Sequence, residues 1–177
     1  TTKSKFIYSF IFFLFLISFT FAISTNANIK IFAVTEDEVG MAADLYAFVV
    51  PGTGEIAFFT SNSLVGKDTQ TTGNIALDIA SSKTSVALGN KNLIYDIRAN
   101  ASEVDGPSAG AAMSLLVYSL LSEKELNPNV GITGTINSDG SVGAVGGIGP
   151  KAQVASEIGI KLFMIPTGQS VTYVKDA

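Results

Sequence analysis

The stretch Asp105-Gly106-Pro107-Ser108-Ala109-Gly110-Ala111-Ala112-Met113 decides how the rest of the chain is read. Pro is tolerated at the first helical position, where its missing N–H costs nothing, so Asp105-Gly106-Pro107 predicts the start of a helix running to about Leu121. Ser108 then falls in the first turn, where backbone N–H groups lack intrahelical acceptors and the dipole is positive. An oxyanion formed on Ser108 would be stabilised there, with the N–H groups of Ser108 and Gly106 as candidate donors and none from Pro107. The small side chains at 109–112 leave the helix surface low enough for a substrate backbone to approach. Taken alone, the same residues also describe a plain helix start packed on a sheet.

Working downstream, residues 131–136 read as a strand, Asn137-Ser138-Asp139-Gly140 as a turn and 141–145 as a return strand. Gly146-Gly147-Ile148-Gly149-Pro150 opens a second helix that contains Lys151 and ends near Gly159, followed by a strand over 161–165. Upstream, strands are predicted over 29–34, 43–50 and 55–60, with Pro51-Gly52-Thr53-Gly54 joining the last two as a hairpin. Residues 68–82 change period, with Ile75, Leu77 and Ile79 set among polar residues as in an amphipathic helix. Residues 93–99 alternate as a strand, with Ile94 and Ile97 out of strict phase. Interleaved strands and helices make the class α/β, or α+β with a mixed sheet, in one domain over residues 28–177.

The composition excludes much of enzymology. None of the 177 residues is His or Cys, which removes the Ser-His-Asp triad, thiol proteases, Cys/His zinc sites and disulfides. The acidic residues are scattered and match no calcium-loop spacing, so neither a metal nor another cofactor is expected. A net charge of −4, with no Lys/Arg run, argues against a nucleic-acid partner. A hydrolase built from these residues needs another base for its hydroxyl nucleophile, and a Lys with a lowered pKa is the usable candidate at neutral pH. Lys151 qualifies because it follows Pro150 at a helix start, where the dipole disfavours an ammonium, and because residues 144–148 offer an apolar surround. An ordinary solvated lysine is the plain alternative.

Lys3 and Lys5 precede an uncharged apolar run over residues 6–23, rich in Phe and followed by the polar Ser24-Thr25-Asn26-Ala27-Asn28. Residues 1–27 therefore read as a signal peptide or an N-terminal membrane anchor. The length lies between a signal-peptide core and a span of ~20 residues, so cleavage and retention are both open. Positive charge before the run places the remainder outside the cytoplasm, secreted or membrane-anchored.

Asp105-Gly106-Pro107-Ser108-Ala109-Gly110 resembles the serine signature of Lon proteases, and Thr133-Gly134 with Gly146-Gly147-Ile148-Gly149-Pro150-Lys151 resembles the lysine region of the same family. The Ser-to-Lys interval is also similar, and the resemblance covers roughly residues 30–166, more loosely at 51–54 and 60–67. It implies a Lon proteolytic-domain fold in which Ser108 is the nucleophile and Lys151 its general base, hydrolysing peptide bonds through an acyl-enzyme. It implies that Thr133 orients the lysine amine, and leaves Asp105 either capping the helix, the favoured role, or pairing with Lys151 in a resting state. Expected partners are a peptide or unfolded protein substrate, the membrane through residues 6–23, and further copies of the chain in a homo-oligomer. No GxxxxGK[ST] stretch occurs, since Gly66-Lys67-Asp68 lacks the leading Gly and the hydroxyl residue, so ATP-independent hydrolysis is expected. In this the chain is similar to stand-alone, exported or anchored archaeal Lon-like proteases. The rival reading is a catalytically silent Lon-fold binding or scaffolding module.

Overall fold

The computed structural model describes residues 26–61 and 63–170. The apolar run at 6–23 lies outside them, so the export reading rests on sequence alone; among the described residues no helix is long and apolar enough to cross a membrane.

A mixed four-stranded sheet in the order β1-β2-β5-β3 forms one layer, from β1 (Asn26–Val34), β2 (Gly40–Pro51), β5 (Lys91–Arg98) and β3 (Ile56–Thr60). The fold is mixed α+β, in agreement with the sequence reading. The hairpin lies elsewhere than expected. β1 and β2 form it, in register from Asn26↔Phe48 to Val34↔Gly40, around a turn closed by Thr35 N–H to Val39 O at 2.9 Å. Residues 51–54 join no hairpin, because β5 inserts between β2 and β3, antiparallel to the first and parallel to the second. The cause is Asn92: its carboxamide oxygen accepts the N–H groups of Thr53, Gly54 and Glu55 at 2.7–3.0 Å, tying the loop to the start of β5. A local sequence reading cannot register a partner so far along the chain.

β5 alternates in strict phase, with Leu93, Tyr95 and Ile97 all fully buried. Ile97 is thus in phase after all, because the ring of Tyr95 takes the inward place between it and Leu93. Burying each large apolar side chain of this kind contributes about 1.5–3 kcal/mol. Helix α1 (Lys67–Thr84) buries Thr69, Thr72, Gly73, Ala76 and Ala80, while Ile75, Leu77 and Ile79 are only half-buried, Leu77 packing against the edge of the core. Small residues win because the helix comes close: a side chain at Gly73 would reach 2.5 Å from the Phe58 ring, and Tyr95 donates its hydroxyl to the Gly73 carbonyl at 3.2 Å. Burial holds the Tyr95 hydroxyl far above its ordinary pKa.

Helix α2 (Gly110–Ser122) is apolar around most of its circumference, and Ala112, Met113, Leu116, Val117 and Leu120 enter the same core. The two-residue strands β4 (Leu64–Val65) and β6 (Glu103–Val104) pair in parallel. The strand read over 131–136 is two strands, β7 (Val130–Ile132) and β8 (Thr135–Ile136), interrupted at Thr133-Gly134; its return strand shortens to β9 (Val142–Gly143). Helix α3 (Ile148–Glu157) then leads to β10 (Leu162–Met164), parallel to β7.

Candidate active site

Ser108 stands not in the first α-helical turn but in a 3₁₀ turn, Pro107–Ala109, that precedes α2. Gly110 donates its N–H to the Pro107 carbonyl, closing the tighter turn. Gly106 enters it with φ 108° and ψ 155°, a conformation open essentially only to glycine. This segment is strapped to α1. Thr69, 2% exposed, donates its hydroxyl to the carbonyls of Val104 and Gly106 at 3.4 and 3.3 Å, and its N–H reaches Asp105 Oδ1 at 3.1 Å.

Asp105 therefore caps a helix, but α1 and not the one that follows it in sequence. Helix α1 has Gly66 at its own N-cap, with no side chain to cap it, so the carboxylate is supplied from outside. Hydrogen bonds from the Gly106 N–H, first, and then from Thr69 hold the Asp105 carboxyl below its ordinary pKa. Among the described residues Lys151 has no carboxylate within 4.0 Å, so Asp105 does not pair with it.

The break at Thr133-Gly134 brings the distant parts together. Gly134 donates its N–H to the Ser108 carbonyl and accepts that of Ala111, both at 3.0 Å, so this segment docks on the Ser108 turn as a strand would. On its other side Thr133 donates its N–H to the Met164 carbonyl at 3.1 Å. The Thr133 side chain, 1% exposed, donates its hydroxyl to the Ser108 carbonyl at 3.3 Å and accepts from Lys151 Nζ at 3.5 Å. Ser108, Thr133 and Lys151 thus meet around one hydroxyl, while Ser108 Oγ and Lys151 Nζ are not hydrogen-bonded to each other.

Lys151 lies on the fourth residue of α3, after the left-handed N-cap Gly147 (φ 66°), and its N–H makes the bond to the Gly147 carbonyl at 3.0 Å. Pro150 before it occupies a position whose N–H has no intrahelical acceptor, so nothing is lost. The side chain is 2% exposed, and desolvation lowers the amine's pKa from 10.5. Burial is the cause of that lowering. Gln169, which no sequence signal singles out, clamps the loop ahead of α3 by exchanging two hydrogen bonds with the Val145 backbone, at 2.9 and 2.7 Å. Among the described residues no cluster of acidic side chains is arranged to hold a metal ion.

Chemically, this is a buried amine of lowered basicity held beside a serine in a tight turn, a set suited to proton abstraction from a hydroxyl. Residues 47–175 match the C-terminal proteolytic domain of Lon protease (S16). The chain is 31% identical over 93 residues to the archaeal Lon protease of Methanocaldococcus jannaschii, covering 52% of this chain and 14% of that protein. It is 32% identical over 133 residues to the Lon protease of Mesomycoplasma hyopneumoniae, covering 72% and 15%, and 37% identical over 82 residues to Lon protease 2 of Bacillus subtilis, covering 45% and 15%. The aligned part is thus about a seventh of each relative's length.

Proposed function

This chain belongs to the Lon protease proteolytic-domain family, and from that premise we propose that it is an ATP-independent serine endopeptidase in which Ser108 attacks and Lys151 is the general base. The neutral Lys151 amine takes the Ser108 Oγ proton as Oγ bonds to the scissile carbonyl carbon. The resulting ammonium returns that proton to the leaving amine as the C–N bond breaks, giving the acyl-enzyme and the first product. Lys151 then takes a proton from water as its oxygen bonds to the acyl carbon, and returns that proton to Ser108 Oγ as the ester C–O bond breaks and the second product leaves. The Ser108 N–H is the donor proposed for the oxyanion.

The single observation that supports this reading most is the Thr133 hydroxyl between Lys151 Nζ and the Ser108 carbonyl. With its proton given to the carbonyl, that hydroxyl can only accept from the amine. The lone pair of a neutral Lys151 is left for another proton. Unfolded protein or peptide is the proposed substrate, in keeping with the family, and no GxxxxGK[ST] stretch in the 177 residues suggests nucleotide use. Residues 6–23 support placing the domain outside the cytoplasm, and self-association into a homo-oligomer is part of the proposal.

The test is labelling by a serine-directed acylating probe together with a kcat/KM profile on a peptide. Labelling should vanish in Ser108→Ala, and the ascending limb should follow an amine and disappear in Lys151→Arg, since Arg stays protonated below about pH 12. Equal labelling of wild type and Ser108→Ala, with no peptide turnover, would leave the silent-module reading in its place.

A further inference from the structure

The end of the β1–β2 hairpin meets the start of α3 at two glycines. Val34 and Gly40 form the last rung of the ladder. A Cβ added at Gly40 would overlap the carbonyl oxygen of Pro150, lie 2.7 Å from its carbon and 3.3 Å from Val154 Cγ1. Opposite, the Val34 side chain presses on the N-cap, where a Cβ at Gly147 would be 2.5 Å from Val34 Cγ1. Pro150 carries the carbonyl of the peptide bond to Lys151, so this one rung bears on the backbone on both sides of the helix start that carries the amine. The φ of Gly40 lies outside the left-handed region, so its own conformation does not call for glycine; the space against Pro150 does.

We propose that Gly40, with its partner Val34, is a positioning residue for Lys151: the missing side chain lets α3 seat at the depth where the amine is closed from water and reaches the Thr133 hydroxyl. The proposal rests on the catalytic reading of Lys151 given above. A methyl at position 40 meets backbone, which cannot rotate away as a flexible side chain would, so α3 must lift from the hairpin end. Lifting lets water reach Lys151. The charged groups on the packed elements do not complicate this: Lys30 pairs with Asp44, the turn residues Glu36, Asp37 and Glu38 and Glu157 of α3 are exposed, Tyr46 lies far down β2, and none of them is in an ion pair with Lys151.

The experiment uses the full chain labelled at lysine ¹³Cε, with the Lys151 resonance assigned by its loss in Lys151→Met. Its titration midpoint is followed in wild type, Gly40→Ala and Val34→Ala, beside kcat and KM on a peptide. In Gly40→Ala the midpoint should move up toward the ordinary lysine value and kcat should fall on the order of 10- to 100-fold with little change in KM. Val34→Ala loosens the same seat without adding an atom, folds whether or not Gly40→Ala does, and should move the midpoint the same way by less. A midpoint at the wild-type value in both variants, or in Val34→Ala if Gly40→Ala does not fold, would overturn the proposal. The NMR reading needs no turnover. A shifted midpoint in a chain without peptidase activity would uphold the positioning role while the catalytic reading fails.

Discussion

Replacing Thr133 by Val removes one hydroxyl from the centre of the site and keeps the β-branched shape, so its consequences can be worked from two hydrogen bonds. The Ser108 carbonyl loses the Thr133 donor at 3.3 Å but keeps the Gly134 N–H at 3.0 Å, so it is not stranded and the cost there is below ~1 kcal/mol. Lys151 fares worse. Its bond to Thr133, at 3.5 Å, is the one its amine makes among the described residues, and an unsatisfied buried donor costs about 1–3 kcal/mol. Both bonds are long, so the lower half of that range applies, and a total loss of stability of about 1–2 kcal/mol is expected. An amine no longer aimed by Thr133 should lose a similar amount in the transition state, which is about 5- to 30-fold in kcat/KM and less than the loss on removing Ser108 or Lys151. The ammonium loses its acceptor as well, so the pKa of Lys151 should fall further and the ascending limb should move to lower pH, opposite to the shift expected for Gly40→Ala. The assay is a kcat/KM profile beside urea unfolding. Wild-type turnover with an unmoved limb would refute the reasoning and remove Thr133 from the site.

Three more outcomes are expected. Lys151→Met should abolish activity yet stabilise the fold at neutral pH: the folded pKa of Lys151 is depressed, so its charge is a cost in full below that value, and the cost fades as pH rises toward the unfolded ~10.4. Urea unfolding of both proteins at pH 7 and pH 10 should show the advantage of the variant shrinking. Asp105→Ala should cost about 1 kcal/mol through the lost cap on α1, and because the Asp105 pKa is lowered on folding, that contribution should be present above pH ~3.9 and disappear as pH falls through the folded value; equal stability of the two proteins at pH 7 would exclude the cap. Gly106→Ala should cost about 1–3 kcal/mol through the backbone alone, since a Cβ there meets nothing within 4 Å, and thermal melting would show it as a lowered Tm.

The sequence by itself determined the residue types and the local punctuation. The absence of His and Cys removed the triad and thiol chemistries, and Gly-Pro-Ser-Ala-Gly with Gly-Gly-Ile-Gly-Pro-Lys marked where two helices begin. These are short-range properties, set by φ limits, missing N–H groups and side-chain chemistry within a few residues. Tertiary structure decided what meets what. Asn92 turned an expected hairpin loop into a bridge to β5, and Asp105 capped a helix that lies before it in the chain and not the one after it. The strand read over 131–136 broke at Thr133 because its backbone groups found partners at Ser108, Ala111 and Met164. The apolar residues at 144–148 already pointed to a desolvated Lys151, but the depth of its burial and the space left by the glycine at position 40 have no local signature. They arise from two backbones approaching across the fold, where only the absence of a side chain makes room.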